Sequence, residues 1–131
     1  MIIQLNLNSD IPIYQQLKDR LIEGIASGAI VAGEELPSVR RLAADLSINL
    51  HTVNKAYNQL KQEGFISVHR SRGAMVNPPE SYVADDAYHS KLQSTLLPLV
   101  AEAKCRGLKV EDVVAACQRI YTDLGGETNE S

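Results

Sequence analysis

The chain has 131 residues and a formal net charge of -3, with 13 Lys and Arg against 16 Asp and Glu. That length suits one ordinary domain, or a small domain with an appendage, and largely excludes a long two-layer enzyme fold. The 44% hydrophobic share is ordinary for a globular chain. No uncharged apolar run approaches the roughly 18–20 residues that span a bilayer. The first residues lack the basic leader of a secretory signal, and two cysteines are too few for a disulfide scaffold. A soluble cytoplasmic protein is the expectation.

Pro12 sits where a first helical turn accepts proline. Tyr14, Leu17, Leu21 and Ile25 then recur at helical spacing until Gly28. Gly33 makes a bend into a short extended piece, Glu34-Glu35-Leu36, and Pro37 keeps Leu36 out of the helical region. Ser38 is a good N-cap for a second helix with the apolar set Val39, Leu42, Ala43 and Leu46. Asn49 is a good N-cap for a third, with Val53, Ala56, Tyr57 and Leu60. Each set is one stripe at i, i+3, i+4, i+7. Only Ser47-Ile48-Asn49 joins the two helices, so they cross steeply, which is helix-turn-helix geometry. Gly64 caps the third helix.

Phe65–Val68 and Ala74–Val76 are short β-prone runs around the polar turn His69-Arg70-Ser71-Arg72-Gly73. They predict a hairpin. The fold class is therefore mainly α with a small β-hairpin: a winged helix-turn-helix over residues 1–78, with the helix-turn-helix at about 39–58 and the wing at about 65–76.

Asn77-Pro78-Pro79-Glu80-Ser81 interrupts both helix and ladder and marks a domain boundary. Over 79–131, one helix is expected from about Asp85 to Arg106, striped by Leu92, Leu96, Leu99, Val100 and Ala103 and kinked at Pro98. A last helix from about Glu111 carries Val113, Ala116, Cys117, Ile120, Tyr121 and Leu124. Residues 125–131 read as a frayed end. Two such helices cannot close a core alone. A second copy of the chain is the favoured cover, through Leu92, Leu96, Leu99, Val100, Val113, Cys117, Ile120 and Tyr121. The competing arrangement folds them back on their own winged helix.

Charge is unevenly placed. Residues 38–73 hold six Lys and Arg against only Asp45 and Glu63, whereas 79–131 hold five basic residues against nine acids. A basic window in an acidic chain is a local footprint for a polyanion. The third helix shows Asn49, Leu50, His51, Thr52, Asn54, Lys55 and Asn58 on its polar side, and the first acid after Asn49 is Glu63. Donors and acceptors of medium reach suit base edges in a major groove, and the free N–H groups at the helix start suit phosphate. Arg40 and Arg41 lie early in the second helix. Arg40 can fork onto a base or a phosphate, and the plainer role for these arginines is a surface ion pair with Asp45 or Glu35. His69, Arg70 and Arg72 crowd the wing tip, where they suit a minor groove or flanking phosphates. Gly73 supplies a positive-φ turn position and a close backbone approach.

No Ser/His/Asp or Cys/His grouping is defensible, so an enzyme is not expected. Cys105 and Cys117 read as packing residues. The three His have no metal-ligand spacing, and no glycine pattern fits a phosphate loop or a dinucleotide cofactor. A winged helix used only for protein contact predicts an acidic or apolar third-helix face and a neutral wing, the opposite of this chain.

Pro12–Leu17, Gly33–Ala43 with its L-P-S-x-R-x-L-A run, Asn49–Tyr57 and Glu63–Ile66 together resemble the GntR family of bacterial transcription regulators. The short segment after residue 78 resembles its YtrA subfamily, whose members carry only two C-terminal helices. The resemblance implies a homodimer on a palindromic operator in double-stranded DNA, usually a repressor, often of a nearby transporter operon. It carries DNA contacts onto Arg40, onto Asn49, His51, Thr52 and Asn54, and onto His69–Gly73; Ser38, Arg41, Leu50 and Lys55 complete the expected DNA-binding set. Many relatives have Arg where this chain has Leu50, which cannot fork onto guanine and has a thymine methyl as its alternative. The sequence names no small-molecule effector, and the groove between tail and winged helix in a dimer is the place such a ligand would sit.

Overall fold

The computed structural model describes residues 3–70 and 73–125. In chain order the elements are α1 (Ile13–Ser27), β1 (Glu35–Leu36), α2 (Val39–Leu46), α3 (Leu50–Gln62), β2 (Ile66–His69), β3 (Gly73–Val76), a 3-10 turn (Pro79–Tyr82), α4 (Asp86–Cys105) and α5 (Val110–Leu124). They form two compact units, one ending at Tyr82 and one beginning at Val83.

The first unit is a winged helix. Its core is built from the stripes themselves: Leu17 and Leu21 of α1, Leu42 and Ala43 of α2, and Val53, Ala56, Tyr57 and Leu60 of α3. The sheet is antiparallel in the order β1-β3-β2. Leu36 pairs with Ala74 and Ile66 with Val76, and these four bury against the helices while Glu35, Ser67 and Met75 alternate outward. Ile30 is also buried, seated on Gly24. No periodic stripe contains it, so the pattern reading passed over it. Gln16 is a buried polar residue with full partners. Its Oε1 accepts from Asn6 N at 2.7 Å, and its Nε2 donates to Asn6 O at 3.0 Å and Ile11 O at 2.8 Å. These bonds tie the segment before α1 to the core, onto which Ile3 and Leu5 pack.

Pro78-Pro79 leads into the 3-10 turn, and the Tyr82 ring stacks on Phe65 with centroids 4.5 Å apart. Gly64 has φ +89, and a Cβ there would stand 2.5 Å from Ser81 O. Asn77 Nδ2 donates to Gly64 O at 2.8 Å, and its Oδ1 accepts from Ser67 Oγ at 2.6 Å. The first unit thus continues past the two prolines to Tyr82.

The second unit is α4 and α5. Asp85 Oδ1 accepts from Tyr88 N at 2.8 Å to start α4, and Asp112 Oδ2 accepts from Lys109 N at 2.8 Å to start α5. Pro98 stands inside α4, which runs through it from Asp86 to Cys105. No residue of either helix is buried. Cys105 and Cys117, expected as packing residues, are both exposed, as no residue of α4 or α5 is buried. Of the expected frayed end, 126–131 lie outside the described residues. Among the described residues no helix is long and apolar enough to cross a membrane.

Candidate nucleic-acid interface

The α2–turn–α3 segment is fixed by short-range chemistry. Ser38 Oγ accepts from Arg41 N at 3.1 Å, and Asn49 Oδ1 accepts from His51 N at 2.7 Å, so both helices begin with the caps their sequences supply. Ser47 takes a left-handed conformation, φ 56, at the end of α2, and the chain re-enters helix three residues later. With Val53, Ala56, Tyr57 and Leu60 buried, the rest of α3 faces outward. Leu50, His51, Asn54 and Asn58 are exposed and Thr52 is half-buried.

Three contacts hold α3 in place. Tyr57 Oη donates to Pro37 O at 2.7 Å, and burial pushes that hydroxyl well above the ordinary tyrosine range. Lys18 of α1 is only 6% exposed; its Nζ reaches Glu63 Oε2 at 2.6 Å and Gln59 Oε1 at 3.4 Å. Lys55 Nζ lies 4.0 Å from the centroid of the Tyr14 ring, a cation–π contact. Tyr14 and Lys18 are one turn apart on α1, and Lys55 and Gln59 of α3 and Glu63 at its C-cap follow in the same steps, so the contacts form one ladder. Sequence reading missed Lys18. The available signal was its place within the apolar stripe of α1, four residues after Tyr14, where a lysine needs a partner.

These anchors sort the expected site residues. Ser38 is spent on its helix cap through Oγ as an acceptor and keeps its hydroxyl proton to donate. Arg40 is exposed and forms no ion pair among the described residues. Arg41 Nε stands 3.8 Å from Asp45 Oδ2, both well exposed, a pair worth roughly 0–1 kcal/mol and easily exchanged. Asn49 uses its oxygen in the cap and keeps its amide donors. Leu50, His51, Thr52 and Asn54 come together on the first turns of α3. Lys55 leaves that group for Tyr14.

At the wing, His69 and Gly73 are paired across β2 and β3. His69 and Arg70 are exposed. Gly73 adopts φ +74, and a Cβ there would approach Glu35 Oε2 to 3.6 Å, so its hydrogen-only side chain serves the turn rather than relieving a clash. Arg72 lies outside the described residues.

Residues 13–76 match the family model described as bacterial regulatory proteins, gntR family. Over 129 residues the chain is 31% identical to the HTH-type transcriptional repressor YtrA of Bacillus subtilis, covering 98% of this chain and 99% of the relative. Among solved structures, YtrA from Sulfolobus acidocaldarius, a GntR-family transcription factor, is 40% identical with a TM-score of 0.62, covering 77% of this chain and 99% of that one. A structure described as a transcriptional antiterminator from Listeria monocytogenes EGD-e shares the fold, with a TM-score of 0.88 over 97% of this chain and 95% of that one at 21% identity.

Proposed function

The chain belongs to the GntR family of bacterial regulatory proteins, and on that premise we propose that it represses transcription as a homodimer seated on a palindromic operator. It is a transcriptional regulator with a winged helix-turn-helix, not an enzyme. The observation that carries the DNA reading is the exposed first half of α3. From Asn49 to Gln62 it has no acid, and its buried side is locked to α1 and to Pro37. A rigid helix with an acid-free outer face meets a polyanion without repulsion.

On this reading α3 enters the major groove. Asn49, Leu50, His51, Thr52 and Asn54 face base edges or adjacent phosphates, and Arg40 forks onto a guanine or a phosphate. Ser38 and Arg41 follow the backbone beside it. The wing, His69 to Gly73 with Arg70 and Arg72, lies on flanking phosphates or in the minor groove. Leu92, Leu96, Leu99, Val100, Val113, Cys117, Ile120 and Tyr121 supply the self-pairing surface. Pairing would set two α3 helices about one helical turn apart, on the order of 34 Å. The protein acts in the cytoplasm, and a neighbouring transporter operon is the class of target the family suggests.

Two substitutions test the assignment by gel shift. Arg40→Ala is expected to weaken binding to a selected operator by roughly 1–3 kcal/mol, the value of a bidentate base contact; unchanged affinity removes Arg40 from the interface. Arg70→Ala is expected to weaken binding to all duplexes alike and to lower the salt slope by about 1. A slope equal to the parent's means that Arg70 meets no phosphate. If the purified chain retains no duplex at low ionic strength, the DNA reading fails.

A further inference from the structure

We infer that the base pairs beneath α3 are A·T pairs, with Leu50 against a thymine methyl and Asn54 on an adenine, and that guanine is confined to the reach of Arg40. This rests on the DNA reading above and adds a base preference to it.

Guanine is selected in a major groove chiefly by a forked or strong cationic donor on O6 and N7. Between Asn49 and Gln62 the cations are Lys55 and Lys61, and there is no arginine. Lys61 sits in the last turn, three turns from the helix start. Lys55 is placed to reach the groove by sequence, but its ammonium lies on the Tyr14 ring at 4.0 Å. That leaves Asn49, Leu50, His51, Thr52 and Asn54 as the groove-facing set, and Asn49, its oxygen held in the helix cap, has only its amide N–H donors to offer. An imidazole and a hydroxyl have no forked pair of donors. An asparagine amide matches adenine N6 and N7, donor to acceptor on both atoms.

Leu50 is the informative member. It is the first residue of α3 and is 37% exposed, while the other leucine of the helix, Leu60, is fully buried. Its surroundings at the helix start are polar: Asn49, His51 and Thr52. The thymine C5 methyl is the apolar feature that a base pair presents in the major groove. Asn54 lies one turn further along the same face, exposed, so the two side chains fall on neighbouring base pairs. Leucine on methyl and amide on adenine then read adjoining A·T pairs, in either strand order.

The test uses the full chain and duplexes selected from a random pool. The expected consensus has at least two A·T pairs in each half-site next to one guanine. Replacing the thymine of one half-site with deoxyuridine, which removes only the methyl, is expected to weaken binding about fourfold, near the value of burying one methylene-sized group. Leu50→Ala is expected to bind thymine and uracil duplexes equally. Leu50 is outside the core, so this variant keeps its fold, and its affinity for the thymine duplex is expected to fall to that of the parent on the uracil duplex. G·C pairs beneath α3 in the consensus overturn the inference. So does a parent protein indifferent to uracil at every selected thymine, even though duplex binding itself stands. A chain that binds no duplex overturns the DNA reading and this inference together.

Discussion

A chain carrying both Leu96→Asp and Ile120→Asp will sediment as a monomer and hold a two-half-site operator roughly 10²–10⁴-fold more weakly than the parent. The expectation comes from what α4 and α5 leave uncovered. Leu92, Leu96, Leu99, Val100, Ile120 and Tyr121 are all exposed large apolar residues on these two helices, and no residue of either helix is buried. Large apolar residues exposed in this number on two helices mark an interaction site. With self-pairing, the second winged helix binds at a high effective concentration once the first is seated. A carboxylate on each apolar face must be desolvated to pair, which opposes association directly. Neither residue belongs to the winged-helix core, so the variant should keep that unit folded and retain the weak, salt-sensitive binding of a single half-site. Sedimentation and gel shift on one sample decide the matter. A double variant that stays dimeric places the self-pairing surface elsewhere. A monomer with parental affinity shows that operator binding does not need the pair.

The elements of the winged helix were legible because burial follows period. Leu42 and Ala43, and Val53, Ala56, Tyr57 and Leu60, are buried as their stripes require, and Ser38 and Asn49 cap as their side-chain oxygens permit. Short-range rules suffice for these. The ladder joining α1 to α3 was not legible, because its partners lie 41 and 45 residues apart at Lys18–Gln59 and Lys18–Glu63. Nothing local announces such pairs except a lysine among leucines. The candidate interface divides in the same way. A helical wheel gives the outward azimuth of Leu50, His51 and Asn54 correctly. It does not say where the long stem of Lys55 carries its charge, and the Tyr14 ring decides that. For α4 and α5, the helices were readable from the apolar spacing, with starts expected at about Asp85 and Glu111, and the structure adds their caps at Asp85 and Asp112. Their apolar faces stand exposed in the structure, and the pattern of one chain does not say what covers them.

Leu60→Ala should destabilise the winged-helix unit by about 2–5 kcal/mol, the range for truncating a buried leucine. Leu60 is fully buried and lies in the final turns of α3, close in sequence to the Lys18 partners Gln59 and Glu63. Truncation removes transfer energy and leaves a cavity that a helix pinned by the Lys18 contacts is poorly placed to fill. A small unit ending at Tyr82 buries a smaller share of its surface than a large domain, and total stabilities of about 5–15 kcal/mol leave little reserve. Leu50→Ala is the matched control: same chemistry, same helix, exposed site, and an expected change within about 0.5 kcal/mol. Urea unfolding of the two variants should therefore separate widely in midpoint with similar slopes. Equal losses would mean that Leu60 does not hold α3 to α1 and the sheet. A small loss for both would place the stabilising contacts of α3 outside its apolar stripe, and the rigid presentation of its outer face to DNA would lose its physical basis.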